Sequence, residues 1–281
     1  MDWFKDEGIR IISIVGAALI LFIICRLVIP SIMKKMVTSR MSEEEDTEIQ
    51  KRADTLSSIL VKITAIVLTI VAAITILPEV GVDITTLIAA IGVAGLAIAF
   101  AAQNLVRDFI SGFFIILEDQ YRVGDVVSIA GTAGMVEEIG LRRTVLRDTE
   151  AHVHSVPNGQ VKVSTNMTRK FSKVNMNISV GYGENLKRVI DIVNKVCREI
   201  AEDPQWKEDF IATPSVLRVD NLGDSGIDIK IVGETKPGKQ WALMGELRLR
   251  LKDTFDAEGI EIPWPHTKIY FGNAPDSISQ N

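Results

Sequence analysis

The sequence predicts a membrane domain of three transmembrane helices, followed by an all-β module and an α+β domain of ferredoxin-like order. Three observations carry this. Long apolar runs of bilayer-spanning length occupy residues 11–29, 59–78 and 84–104. From Tyr121, short apolar stretches alternate with Gly, Pro, Asn and Asp, the pattern of strands and turns. Beyond Lys173 the order becomes strand, helix, strand, strand, helix, strand, a split βαβ arrangement. A mean hydropathy of +0.22 beside 24% charged residues agrees, because it requires apolar and charged residues to be segregated along the chain.

The first run, Ile11 to Ile29, is interrupted only by Arg26, and the second, Ile59 to Pro78, only by Lys62. Both charges lie near segment ends, where a long basic side chain reaches the headgroups. Asp2 to Arg10 is mixed in charge and the run behind it is long, so a cleaved signal peptide is not expected. Lys34, Lys35, Arg40, Lys51 and Arg52 lie between the first two runs, whereas Pro78 to Asp83 has no basic residue. Orientation follows Lys and Arg, so the N-terminus is expected outside and everything after the third span in the cytoplasm.

The third run, Ile84 to Val106, is uncharged and rich in Ala and Gly. On a helical wheel Gly92, Gly95, Ala99 and Ala102 share one side, and Ala90, Ala94, Ala97 and Ala101 lie nearly opposite. Small residues let membrane helices approach closely. Two smooth faces imply two neighbours; if these are copies of the same helix, the head-to-tail contact closes into a ring around a pore. The alternative is packing against this chain's own other spans. Of the two remaining arcs, one holds Ala89, Val93, Leu96, Phe100 and Gln103, with the only polar group at that depth, and is assigned to the lumen. The other holds Leu87, Ile91, Ile98 and Leu105. Packing between neighbouring helices is assigned to Ala89, Gly92, Val93, Gly95, Ala97 and Ala99.

After Gln103, charge and bulk replace the small residues: Arg107, Asp108, Phe109, Ile110, Phe113 and Phe114. A straight pore helix would carry aromatics into the lumen, so a hinge is expected at Gln103 and Asn104, with residues 105–118 along the membrane interface. Asn104 is a weak helix former, and Gly112 offers a second soft point. The competing reading is one continuous helix whose bulky side faces lipid.

Residues 119–172 form the expected β module, with strands at Val126–Ala130, Met135–Ile139, Arg142–Arg147 and Ala151–Val156, a turn at Gly131–Gly134, and Pro157-Asn158-Gly159 ending the last strand. Residues 173–265 form the α+β domain. Its first helix covers roughly Asn185 to Asp203, burying Leu186, Val189, Ile190, Val193, Val196, Cys197 and Ile200. The second covers roughly Lys239 to Ala257, with Leu243, Leu247, Leu251 and Phe255 four apart, and stops at Gly259. Pro263-Trp264-Pro265 is too constrained to continue a helix, and a last strand is expected over Thr267 to Phe271. Residues 266–281 hold that strand and the tail.

Chemistry is sparse. Cys25 and Cys197 fall in different parts of the fold, so no disulfide is expected. His152 and His154 share a strand face at spacing two, but no third ligand is expected close in sequence, and no metal or cofactor is expected. No activated nucleophile, carboxylate pair or phosphate loop stands at mechanistic spacing, which argues against an enzyme. A net charge of -5 leaves no nucleic-acid footprint. The rival to a channel is a membrane-tethered sensor or interaction module, whose tether would not need two opposed small-residue faces.

The stretch GVAGLAIAFAAQNLVRDFISGFFIILEDQYRVGDVVSI, followed by SVPNGQV, resembles the pore helix and β domain of the small-conductance mechanosensitive channel family, the MscS-like channels. The resemblance covers nearly the whole chain. It implies a homoheptamer in a bacterial or archaeal cell (inner) membrane, gated by tension acting through the lipids and passing ions and small osmolytes. It also implies a hollow cytoplasmic vestibule closed by a barrel of C-terminal strands. By position, Leu96 and Phe100 match the two rings that close the pore, Gly92 and Gly95 the groove for the next subunit, and Gly112 the second bend. Asn104 stands where some members have a kink glycine.

Overall fold

The computed structural model describes residues 2–40, 46–267 and 269 of the chain. It divides into two compact units, Met1–Ala102 and Gln103–Asn281.

In the first unit, α1 (Asp2–Arg40) and α2 (Asp46–Ile76) pack lengthwise, and a 3-10 turn at Leu77–Val80 leads to α3 (Thr85–Leu117), of which the residues up to Ala102 belong to this unit. Asp83 accepts from the backbone N–H and hydroxyl of Thr85 at 2.8 and 2.6 Å, fastening the start of α3. Among the described residues three stretches are long and apolar enough to cross a membrane: Glu7–Thr38, Ile49–Val80 and Thr85–Leu117. All three helices outrun their expected spans, because polar residues beside an apolar core extend a helix as readily as they end it. Large side chains such as Leu27, 69% exposed, have no protein neighbour to bury them, the condition of a helix surface meant for lipid.

The described residues of the second unit form two sheets. Strands β1 (Val126–Ile129), β2 (Thr132–Ile139), β3 (Arg143–Arg147), β4 (Val153–Pro157) and β5 (Ser164–Asn166) form an antiparallel sheet in the order β4-β3-β2-β1-β5. The β1–β2 turn is tighter than expected. Ile129 pairs with Thr132, so the loop is only Ala130 and Gly131, both left-handed at φ 48° and 80°; such mirror-type turns match the strand twist. The sheet core joins Tyr121, Val127, Ile129, Val136, Leu146 and Val156 to Ile115 of α3.

The other sheet has the order β6-β8-β7, from β6 (Ser172–Val180), β7 (Phe210–Leu222) and β8 (Ile227–Thr235), all antiparallel neighbours. Helices α4 (Leu186–Glu202) and α5 (Gln240–Glu258) supply the core, with Val189, Val193, Val196, Cys197 and Ile200 against Leu243, Leu247, Leu251 and Phe255. Leu186 and Ile190 are only partly buried. Asn185 caps α4 by accepting from the N–H groups of Lys187 and Arg188. Gly259 ends α5 in a left-handed conformation, φ 65°, with its N–H returned to the carbonyls of Phe255 and Asp256. The strand expected over Thr267 to Phe271 and the tail lie largely outside the described residues.

Candidate functional site

The first half of α3 carries the predicted pore residues, and its surface is bare. Gly92 to Phe100 are all exposed. A Cβ placed on Gly92 or Gly95 would meet nothing within 4 Å. Val93, Leu96 and Phe100 stand 69%, 62% and 73% exposed, and with Ala89 and Gln103 they follow the four-three-four-three spacing of one helix side. Leu96 and Phe100 are one turn apart. Ala97 and Ala99, with Ala89, are likewise uncovered. This is a helix with an apolar stripe and small-residue faces that the described residues leave unpartnered.

Gln103 and Asn104 sit inside α3, whose helical run continues unbroken to Leu117. A hinge at these residues therefore has to operate within a hydrogen-bonded helix rather than at a gap between two. Gly112 has a role the sequence did not disclose. It is buried, and a Cβ there would lie 1.9 Å from the Leu141 carbonyl oxygen and 2.4 Å from Asn158 Nδ2. Its missing side chain is what lets α3 seat on the β module.

Asn158 organises that seat. Completely buried, it donates from Nδ2 to the carbonyls of Gly140 and Leu141 at 2.8 and 2.9 Å, and accepts from the Thr144 hydroxyl at 2.9 Å. The Tyr121 hydroxyl lies 3.1 Å from the same Thr144 oxygen, and burial pushes the Tyr121 phenol above its ordinary range. Next in line, the Gly159 N–H donates to Asp108 Oδ1 at 3.0 Å, and Arg142 stands 3.9 Å from that carboxylate. The sequence marks Pro157-Asn158-Gly159 only as a turn. Asp108 was visible only as a charge following the apolar run.

At the end of α3, Asp119 takes a left-handed conformation, φ 52°, and receives both Nε and Nη2 of Arg122 at 2.8 and 2.7 Å. That pairing holds its carboxyl below the usual carboxylate range. Arg169 donates to the Asp119 and Gln120 carbonyls at 2.5 and 3.1 Å. Together these contacts anchor the step from helix to sheet.

His152 and His154 do not stand alone. Asp148, four residues ahead of His152, brings its Oδ2 to 3.1 Å from His152 Nδ1 and 2.9 Å from His154 Nε2. Sequence alone does not mark Asp148 as the third donor, because a carboxylate in a turn reads first as a turn former. Cys197 is buried, and burial pushes its thiol up to about 12, leaving it inert as a nucleophile.

Comparison with known proteins covers most of the chain. Residues 62–103 match the family signature "Mechanosensitive ion channel, transmembrane helices 2/3", residues 104–169 the "Mechanosensitive ion channel, beta-domain", and residues 174–262 "Mechanosensitive ion channel MscS, C-terminal". The chain is 38% identical over 220 residues to a small-conductance mechanosensitive channel of Caldanaerobacter subterraneus, covering 78% of this chain and 77% of the relative. It is 28% identical over 264 residues to an uncharacterized MscS family protein of Archaeoglobus fulgidus, covering 90% and 88% of the two chains. In fold it is similar to the closed-state crystal structure of Helicobacter pylori MscS, with a TM-score of 0.60 at 22% identity over 93% of this chain and 99% of the other. Arabidopsis thaliana MSL1 matches with a TM-score of 0.58 at 19% identity, covering 93% and 98%. The three signatures run in sequence through the second span, α3, the β module and the α+β domain, and the chain belongs to the MscS family of mechanosensitive ion channels, a family of membrane proteins rather than of enzymes.

Proposed function

We propose that the chain is one subunit of a homoheptameric channel of a bacterial or archaeal cell membrane, opened by tension and passing ions and small osmolytes on hypo-osmotic shock. The observation that carries this reading is the uncovered α3, whose Gly and Ala faces suit two identical neighbours and whose Leu96–Phe100 stripe suits a lumen. The basic residues between α1 and α2 favour an outer N-terminus and a cytoplasmic second unit.

Closure needs no chemistry. Rings of Leu96 and Phe100, far from charge, stop ions by dewetting even when a small gap remains. Tension does work in proportion to the gain in membrane area, so it favours the wider state. The lipid-facing α1 and α2 act as paddles, and α3 slides past its neighbours on smooth faces between two packings of similar energy. Gln103 and Asn104 are the proposed hinge, and the seat made by Gly112, Asp108 and Asn158 holds the remainder of α3 on the β module. The strand expected from the sequence over Thr267 to Phe271, largely outside the described residues, is the proposed closure of a barrel with its copies.

Survival of hypo-osmotic downshock tests the reading. Expressed in cells lacking their own tension-gated channels, the protein restores survival. Full expression in the membrane without any rescue contradicts the proposal.

A further inference from the structure

We propose that Asp148, His152 and His154 form a binding site for a divalent transition-metal ion, of which Zn2+ is the type. Two imidazoles and one carboxylate suit Zn2+, Ni2+ or Cu2+, whereas Ca2+ and Mg2+ prefer all-oxygen sets.

The hairpin builds the site. His152 lies just before β4 and His154 within it, two residues apart and so on one side of the extended chain. Asp148 closes the turn before them. Its Oδ1 is already engaged, accepting from the N–H groups of Glu150 and His152 at 2.9 Å each. The Asp148 N–H donates to the His152 carbonyl at 3.1 Å, and Ala151 takes a left-handed φ of 67°. These contacts fix the carboxylate so that Oδ2 alone faces the imidazoles.

One donor atom from each residue lies within 4.8 Å of the others. Oδ2 is 2.9 Å from His154 Nε2 and 3.1 Å from His152 Nδ1. Metal bonds of about 2.0–2.1 Å around a tetrahedral centre set donors about 3.3 Å apart, so small side-chain rotations admit an ion. Each imidazole then binds through a deprotonated nitrogen and keeps its proton on the other. Glu150 Oε2, 3.6 Å from His152 Nδ1, or a water completes the shell. Side-chain exposures of 23% for Asp148, 36% for His154 and 63% for His152 leave an open path for the ion.

Calorimetric titration of untagged, full-length protein in detergent with Zn2+, and separately with Ni2+, tests the site. One ion per chain is expected. His152→Ala and His154→Ala each weaken binding by roughly tenfold or more. Asp148→Asn, which preserves the Oδ1 acceptor and hence the turn, weakens it similarly. His266→Ala, removing the only other histidine of the three, leaves affinity unchanged. Absence of saturable binding overturns the proposal, as does unchanged affinity in the His152 and His154 variants or an equal loss with His266→Ala.

Discussion

The Gly159 N–H donates to Asp108 Oδ1 across 3.0 Å, tying the second half of α3 to the turn that ends β4. Together with Asn158 and Gly112 it makes a seat in which backbone and side chains interlock. Any motion of the second half of α3 on this sheet has to break that bond or carry the β module with it.

Gly112→Ala tests the seat. Its Cβ would fall 1.9 Å from a backbone oxygen, and overpacking of this kind costs about 1–3 kcal/mol. A lowered thermal midpoint of the purified protein is expected. Gly92→Ala, with open space around it in the single chain, leaves subunit folding intact and shows its effect in assembly or gating. Equal thermal midpoints for Gly112→Ala and the parent would remove the seat from the account.

The smooth faces are tested by comparing Gly95→Leu with Ile98→Leu. The first places a large side chain where a neighbouring α3 is proposed to approach, so it raises the opening tension or disrupts assembly, again by about 1–3 kcal/mol per site. The second changes the outer arc and is nearly silent. The same opening tension and the same oligomer mass in both variants would contradict the ring geometry.

Much of the architecture was legible because it is periodic. The buried stripes of α4 and α5 follow the 3.6-residue repeat, and β8 alternates along its length. What escaped is non-periodic or polar. Strand β5 is the short polar run Ser-Thr-Asn, held by β1 rather than by its own pattern. The β1–β2 turn shifted because Ala130 carries no sign of its positive φ. Asn158 and Asp108 find their partners only after the chain folds back, Asp108 with the Gly159 N–H and Asn158 with Gly140, Leu141 and Thr144, so no local pattern marks them. The proposed pore stripe is the converse case: its spacing reads clearly, and the described residues leave it uncovered.

Acid stability is expected to depend on Asp203. Arg250 Nη2 stands 2.5 Å from its Oδ2, and this bond, followed by the Gln205 N–H, holds the Asp203 carboxyl below its ordinary 3.8. A carboxyl depressed by folding stabilises fully above the unfolded value and loses that contribution as pH falls through the folded one. Asp203→Asn is therefore less stable than the parent at neutral pH, and the gap narrows below pH 3.8. Thermal midpoints across a pH series check this, and a gap independent of pH would contradict it.

Truncation after Pro265 tests the proposed C-terminal barrel. A lone strand has open edges unless it pairs, so removal weakens the oligomer in detergent and lowers activity while membrane insertion continues. Unchanged oligomer mass and thermal resistance would mean that the segment does not close a barrel with its copies.

The central claim is that tension parts rings of Leu96 and Phe100. Patch recording of the purified protein in liposomes, with suction at zero voltage, tests it most directly when parent and Phe100→Ser are compared. The account predicts that the parent opens above a definite suction and that Phe100→Ser, by wetting the constriction, opens at a lower one. No suction-activated current from the parent, or identical thresholds for the two, would contradict it.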